Sequence, residues 1–199
     1  NLALSDIPEE TIAALDLGRL ADEDYEHETA GGLPRFAKLM AVNFNLTNSG
    51  TWKTQPNGDR VWRLKIITDG ALATSLYYNA FHLPAGSKLY IWNENGTQVI
   101  GAFTEFNNHE SGKFATELIY GETCYLEYTE PASQAGQGAI NISHVAYAYR
   151  YVEVEGEQRG GDFCEVDINC SPEGTNWQDE KKGVVRMQVV DGGSAGWCS

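Results

Sequence analysis

Apolar and polar residues alternate through the middle of the chain, from residue 36 to residue 152. Between Met40 and Leu46 every second side chain is a large apolar one. The segment 61–67 repeats this pattern, with Arg63 and Lys65 opposite its apolar residues. A period of two is the side-chain spacing of a β-strand that buries one face. We predict strands at residues 40–46, 51–54, 61–67, 72–81, 88–92, 98–103, 114–119, 123–128 and 140–152.

Turn-forming residues separate these strands. Residues 56–59 (Pro-Asn-Gly-Asp) and 93–96 (Asn-Glu-Asn-Gly) are strong turn signals, and the second predicts a hairpin. Residues 120–122 predict another hairpin, which joins the strand 114–119 to the strand 123–128. Turns recur here about every 8–12 residues, and short strands at this spacing are typical of β-sandwiches and β-barrels. The sequence therefore predicts an all-β fold, an antiparallel, jelly-roll-like β-sandwich over residues 35–152.

Helical signals are confined to residues 5–28, within an acidic arm of residues 1–34 in front of the strands. Ser5 or Asp6 can cap a helix, and Gly18 interrupts it, so we predict one or two short helical turns. The first 30 residues carry nine Asp or Glu residues against Arg19 alone, a net charge of −8. Such an arm is either a solvated, partly mobile segment or one that docks on a basic partner surface.

The charge of the whole chain excludes some classes of partner. A formal net charge of −14 argues against nucleic acid and against an anionic membrane surface, because both require clustered Lys and Arg. No stretch of about 18 consecutive apolar residues predicts a transmembrane helix. The sequence starts at Asn1 without a Met or a signal peptide, which indicates a processed start. We expect a secreted protein, either extracellular or periplasmic.

The composition changes at Glu153. Residues 153–162 are polar, charged and contain Gly, which predicts an exposed linker. The tail, residues 163–199, has a predicted strand at 183–190 and a Gly-rich hairpin loop at 191–196. Because the second strand of that hairpin is only three residues long, we expect its hydrogen-bonding edge to be supplied from elsewhere.

Three of the four cysteines, Cys164, Cys170 and Cys198, lie in the tail. The spacing of the first two is too wide for paired zinc ligands, so we predict neither a metal nor another cofactor. Structural disulfides in an oxidising compartment explain these residues more simply. Cys124 lies inside a predicted strand, and we expect it to be a buried free thiol. At least one tail cysteine then needs a partner further along a longer polypeptide.

The sequence contains no evident catalytic constellation. His109 lies in a polar loop beside Glu110 and could act as an acid or base, but no activated Ser or Cys is placed near it in sequence. Residues 191–194 (Asp-Gly-Gly-Ser) have the composition of a serine-protease nucleophile loop in the wrong order, and predict a hairpin turn instead. Triplets that match the glycosylation acceptor, common by chance, begin at Asn45, Asn95 and Asn141. We assign no catalytic residue.

The tail contains the most specific pattern of the sequence. Its segments are Cys164 to Cys170 (CEVDINC), Pro172 to Gly174, Gly183 to Arg186, and Trp197 to Ser199. Together they resemble the start of the mature catalytic domain of bacterial lysyl endopeptidases, which are secreted trypsin-like serine proteases with a chymotrypsin-type double β-barrel. The body more loosely resembles the region that precedes such domains in bacterial precursors, at residues 61–66, 81–92, 101–104 and 114–117.

This resemblance implies that residues 35–152 are a pro-region that assists folding and blocks the active cleft. Residues 163–199 would be the incomplete start of the protease domain, its own partner, and the catalytic His, Asp and Ser would lie beyond Ser199. The partners of Cys164, Cys170 and Cys198 would lie there too. The linker would contain the processing site, with Arg159-Gly160 as the candidate bond, because proteases of this class cut after a basic residue.

A second hypothesis makes the sandwich a secreted binding module for carbohydrate or protein. Its motivation is a set of aromatic residues that could form an exposed platform, Trp52, Tyr77, Tyr78 and Trp92. Aromatic faces stack on sugars, although aromatic residues in strands usually belong to the core. An exposed row of these rings would favour the binding module over the pro-region. The parent precursor is expected to be an enzyme, but this chain is not one by itself.

Overall fold

The computed structural model describes residues 6–32, 34–150, 171–179 and 187–198. One α-helix, α1 (Leu17–Thr29), and three 3₁₀ helices (Glu105–Asn107, Ala132–Gln134 and Glu173–Trp177) accompany the strands in these ranges. The strands are β1 (Glu9–Ile12), β2 (Arg35–Asn45), β3 (Thr51–Thr54), β4 (Arg60–Thr68), β5 (Ala73–His82), β6 (Lys88–Asn93), β7 (Val99–Phe103), β8 (Phe114–Ala115), β9 (Ile119–Tyr120), β10 (Thr123–Glu130), β11 (Ala139–Ala148), β12 (Met187–Asp191) and β13 (Ser194–Cys198). The predicted all-β class is confirmed.

The strands form two sheets. The six-stranded sheet has the order β1-β4-β10-β6-β7, and β3 also pairs with β4. The seven-stranded sheet has the order β12-β13-β2-β11-β5-β8, and β9 also pairs with β5. Every pairing is antiparallel except that of β1 with β4. The predicted antiparallel sandwich with a short helical arm is therefore confirmed.

The main core lies between the two sheets, and the period-two pattern determines its members. Trp62, Leu64 and Ile66 of β4 are fully buried, whereas Arg63 and Lys65 point away from them. Burial of each such apolar side chain contributes about 1.5–3 kcal/mol. Further buried members include Leu76, Tyr78, Phe81, Leu89, Ile91, Leu126, Tyr128, Ile142, Val145 and Tyr147.

A second cluster covers the opposite face of the seven-stranded sheet. Along β11, Val145 and Tyr147 belong to the main core, whereas Ala146 and Ala148 belong to this outer cluster. We refer to this set of buried residues as the outer cluster; its members are Phe36, Ala37, Ala73, Leu118, Ala146, Ala148 and Ala195. Because most of these residues are alanines, other backbone segments can approach this face closely.

The N-terminal arm is packed on the sandwich rather than extended into solvent. Residues 9–12 form a strand because they pair with the edge of β4, and Ile7, Ile12 and Leu20 are buried. The helix is longer than the predicted one or two turns. Its cap is neither Ser5 nor Asp6 but Asp16, whose Oδ1 accepts a hydrogen bond from Arg19 N–H at 3.0 Å. Pairing with a distant strand, which local capping signals do not encode, decided where the helix begins.

The predicted hairpin across residues 120–122 is wrong. β9 pairs with β5 in the seven-stranded sheet, whereas β10 lies between β4 and β6 in the other sheet. The turn at Gly121, which has φ +96°, therefore carries the chain from one sheet to the other. A strand–turn–strand pattern looks the same in both cases, because each strand buries one face in the same core. The predicted hairpin between β6 and β7 is confirmed.

Candidate functional site

The tail hairpin, β12 and β13, extends the seven-stranded sheet beyond β2. Residues 194–196 lie antiparallel to residues 35–38, with a register shift between Ala195 and Gly196. Leu39 N–H donates to the carbonyl oxygen of Gly193 at 2.8 Å. We refer to the backbone edge of residues 35–39 that faces β13 as the β2 edge. The edge that we expected the short tail strand to need is thus provided by the body.

Among the hairpin side chains that the structure describes, those of Gln188, Ser194 and Ala195 contact the body. Ser194 Oγ accepts a hydrogen bond from Arg35 Nη1 at 3.5 Å. Ala195 has no exposed surface and lies in the outer cluster. Gln188 Nε2 donates to the hydroxyl oxygen of Tyr77 on β5. These contacts involve small or polar groups, and main-chain pairing with β2 contributes to the attachment as well.

Beside the β2 edge, the carboxylate of Asp24 on α1 is surrounded by two guanidinium groups. Asp24 is only 1% exposed, and its Oδ1 lies 2.6 Å from Nη2 and 2.7 Å from Nε of Arg35. Its Oδ2 lies 3.0 Å from Nε of Arg150, which also pairs with Glu28 at 2.6 Å. Tyr149 Oη donates to both carboxylate oxygens at 3.0 Å. This Asp24 network joins α1, β2 and the end of β11.

The hydroxyl of Tyr149 stays protonated in this network at neutral pH. Burial, together with the hydrogen bond to Asp24 and the negative charge of that carboxylate, raises the pKa of Tyr149 to about 12. A charge-assisted hydrogen bond of this kind is stronger than one between neutral groups. Two arginines and two carboxylates balance in charge, so the network is a structural junction and not an open anion site.

A cavity of about 300 Å³ separates the tail hairpin from the end of α1. Its wall is formed by His27, Gly31, Gly32, Arg35, Val189, Ser194 and Gly196. Protein interiors seldom contain voids larger than a water molecule. The hairpin and the helix are therefore not close-packed against each other along this space.

A second cavity, of about 470 Å³, opens on the seven-stranded sheet near the bulge in β11. His144 Nδ1 lies 3.1 Å from Ser143 Oγ in its wall, and Ser143 Oγ also donates to the carbonyl oxygen of Tyr77 at 3.3 Å. The wall also includes Tyr78, Asn79, Lys113, Phe114 and Ala115. The serine hydroxyl is engaged by the backbone, so this pair is not arranged as a nucleophile and its base.

A second buried carboxylate, Glu130, fixes the loop between β10 and β11. Arg60 donates to its Oε2, the amide of Gly136 donates to Oε2 at 3.0 Å, and that of Gly138 to Oε1 at 3.2 Å. Burial by itself would raise the pKa of Glu130, but these hydrogen bonds and the charge of Arg60 lower it below its usual value. The carboxylate is thus ionised in the folded protein and stabilises the loop.

The four aromatic residues of the carbohydrate hypothesis do not form an exposed row. Tyr78 is buried in the main core. Trp52 packs on that core, and its indole N–H donates to a main-chain carbonyl at 2.9 Å. Trp92 stacks on Tyr125 with ring centroids 5.6 Å apart, and the hydroxyl of Tyr77 binds the tail hairpin. The arrangement gives no support to a stacking platform for sugars.

Most residues of the predicted processing and disulfide sites lie outside the described ranges. These are Arg159, Gly160, Cys164 and Cys170. The backbone of Cys198 ends β13, and its side chain is likewise outside what the structure describes. Both predictions therefore stay predictions.

Two other candidate residues and the predicted hairpin turn can be placed. Cys124 is a free, fully buried cysteine as expected, and burial raises the pKa of its thiol to about 12. His109 is exposed, and its Nδ1 lies 2.8 Å from Ser111 Oγ in its own loop. Gly192 and Gly193, both with positive φ, form the turn between β12 and β13, so a hairpin turn is confirmed. The predicted loop at 191–196 is too long, because residues 194–196 belong to β13, which has five residues rather than three.

Sequence reasoning missed Asp24, Arg35 and Glu130, the charged residues that organise the structure. Asp24 had a detectable signal, because it lies four residues after Leu20 and so shares its helix face, on which both are buried. Glu130 had a comparable signal, because it occupies the next position in the series of alternate buried residues along β10. An acidic residue in a buried position predicts a cationic partner, but its identity depends on the fold.

No protein-family model matches the sequence. Across the described parts of the chain, no helix has the length and apolar character needed to cross a membrane. In the same residues, no group of three or more His, Cys, Asp and Glu side chains is arranged to hold a metal ion. The site geometry and the sequence resemblance are therefore the basis for a functional proposal.

Proposed function

We propose that the body of this protein, residues 35–152, is the pro-region of a secreted trypsin-like serine endopeptidase similar to the lysyl endopeptidases. In this role it assists the folding of the protease domain and keeps the active cleft blocked until the linker at 153–162 is cut. The tail from residue 163 then belongs to the protease domain, which is the partner of the body.

One observation carries this proposal, namely the pairing of β13 with the β2 edge. The tail hairpin falls in the segment that resembles the first strands of a protease domain. An isolated two-stranded hairpin is marginally stable in water, whereas a third strand with an apolar face makes it stable. The body supplies that third strand, and Ala195 gains a buried position in the outer cluster. Such a contact would favour formation of the hairpin before the rest of the protease domain has folded.

Strand addition also suits an inhibitor. Main-chain hydrogen bonds provide affinity for an extended segment with little demand on side-chain chemistry. A pro-region that binds its protease through backbone pairing can therefore hold strands that later pair within the folded protease domain. The acidic charge of the arm, with the exposed Asp22 and Glu26 on α1, adds a surface that would attract a basic partner.

The test is to add residues 1–159 in trans to the unfolded mature protease and to the folded one. We expect a higher yield of refolded activity in the first case and inhibition in the second. Leu39→Pro removes the N–H that donates to Gly193, and should weaken both effects. Val99→Ser, at an exposed position of the other sheet, is the control and should leave both unchanged. Absence of both effects with the unaltered fragment would rule out the pro-region function.

A further inference from the structure

The tail hairpin and the β2 edge are attached to each other over a short stretch only. β12 and β13 pair along their whole length, from Met187 opposite Cys198 to the turn. By contrast, β13 pairs with β2 only through residues 194–196, and a register shift interrupts even this stretch. The hairpin is therefore held together by more backbone pairing than holds it to the body, and it can separate as a unit.

Among the described side chains of the hairpin, Ala195 is buried against the body, and Ser194 and Gln188 each form one hydrogen bond to it. Val189 and Val190 remain 40% and 44% exposed, so the hairpin buries little of its large apolar surface among the described residues. The cavity of about 300 Å³ between the hairpin and α1 removes further packing contacts. Elements with few buried apolar contacts open at a lower free energy than the rest of a fold.

The body does not depend on the hairpin for the conformation of β2. On its other side, β2 pairs with β11 from Ala37 to Asn45. Arg35 keeps its contacts with the buried Asp24 whether or not Ser194 is present. The β2 edge would therefore keep its conformation, with its N–H and C=O groups exposed, after the hairpin has left.

We propose that the β2 edge is a strand-acceptor site, which the tail hairpin occupies reversibly and which other extended segments can enter. The source of the natural strand, the protease domain, rests on the proposed function; the acceptor site itself does not. An exposed edge with unpaired main-chain groups is a template for strand addition.

The geometry also defines which strands fit. The residue at the position of Ala195 has no exposed surface, because it lies against alanines of the outer cluster, so this position accepts only a small side chain. The preceding position faces the guanidinium group of Arg35, which favours a hydroxyl or another hydrogen-bond acceptor. The site therefore selects an extended Ser-Ala-Gly-like segment and rejects bulky residues at the centre.

Native-state hydrogen exchange of the whole chain tests the reversible occupation. The amide of Leu39, which donates to Gly193, should exchange together with the β13 amides that face β2, and at least about tenfold faster than the amides of β11. Ala195→Leu overfills the buried position and should speed exchange at Leu39 by a further factor of about ten. Val190→Leu, at an exposed position on the same hairpin, is the matched control and should change nothing.

A labelled synthetic peptide of residues 187–198 with Cys198→Ser tests whether another strand can enter. By fluorescence anisotropy, it should bind the Ala195→Leu chain at least about tenfold more tightly than the Val190→Leu chain, whose own hairpin competes. The same peptide carrying Ala195→Leu should bind neither chain. Unchanged protection of β11 amides shows that the variant body is folded, so weak binding cannot be ascribed to unfolding.

Two results would overturn the acceptor site. In the first, the Leu39 amide and the β13 amides that face β2 exchange only as fast as the β11 amides, which would mean that the hairpin opens only with the whole fold. The second is equal binding of the peptide to both variant chains. Failure of residues 1–159 to refold or inhibit the protease, with both results above as expected, would instead reject the pro-region function and leave the acceptor site intact.

Discussion

The buried carboxylate of Asp24 should be a main determinant of stability, and Asp24→Asn tests this. The substitution keeps the size of the side chain but removes the charge that faces Arg35 and Arg150 at 2.6 and 3.0 Å. Arg35 then loses the carboxylate that it pairs with beside a site that is 1% exposed, whereas Arg150 keeps its ion pair with Glu28. The asparagine oxygen can still accept the hydrogen bond of Tyr149, so only part of the network is lost.

The magnitude follows from the burial of each partner. Removing one member of a fully buried ion pair costs about 3–5 kcal/mol. The side chains of Arg35 and Arg150 remain 19% and 38% exposed, so water reduces this cost. We therefore expect the free energy of unfolding to fall by about 2–3 kcal/mol. With a urea dependence of about 2 kcal/mol per molar, the midpoint of unfolding should fall by about 1–1.5 M.

Urea denaturation followed by tryptophan fluorescence measures this shift. Glu23→Gln is the matched control, because it removes a carboxylate from the same helix whose partners, Arg19 and Lys38, are 74% and 37% exposed. Such surface pairs contribute at most about 1 kcal/mol. In a double-mutant cycle, Asp24→Asn and Tyr149→Phe should be non-additive by about 0.5 kcal/mol or more. Equal midpoints for Asp24→Asn and Glu23→Gln would refute the assignment of Asp24 as a buried junction.

Three further predictions concern other parts of the fold. The lowered pKa of Glu130 means that its contribution to stability is complete above the carboxyl pKa of the unfolded chain and is lost as the pH falls through the folded pKa. Glu130→Gln should therefore flatten the pH dependence of thermal unfolding at acidic pH, below the ordinary carboxyl pKa of 4.5. Gly50→Ala should lower the free energy of unfolding by about 2 kcal/mol or more, because φ is +71° and the new Cβ would lie 2.5 Å from a carbonyl oxygen. The control Gly96→Ala, at φ +68° with open space around the new Cβ, should cost only about 1 kcal/mol, and chemical denaturation measures both. Cys124 is fully buried, and the pKa of its thiol is raised to about 12. It should therefore resist iodoacetamide at pH 8 in the native protein and react once urea unfolds the chain, which peptide mapping by mass spectrometry would show. Alkylation in the native state would contradict the packing of β10.

The central strands could be predicted from the sequence because their side chains alternate over one shared core. The predicted segment 61–67 corresponds to β4 at Arg60–Thr68, and 51–54 corresponds to β3 without any change of bounds. The burial of Cys124 followed from the same argument. Alternation states which face of a strand is buried, but it does not state which strand lies alongside. For this reason the assignment of β9 and β10 to one hairpin failed.

The candidate site was less predictable than the fold. The sequence indicated that the tail strand needed an edge from elsewhere, and the hairpin turn at Gly192 and Gly193 was evident from its residues. Nothing local indicated that β2 would provide that edge, because β2 and β13 are separated by about 150 residues of chain. The same separation concealed the pairing of Asp24 with Arg150.

By itself, then, the sequence determined the class of the fold, the faces of its strands and the positions of its turns, since these depend on side-chain period and on local backbone preference. Only the tertiary structure decided the order of the strands, the extended start of the N-terminal arm, the partners of the buried carboxylates and the seating of β13 on β2. Each of those features depends on which distant backbone edges and charges meet, and that is fixed by the packing of the whole chain around its two cores.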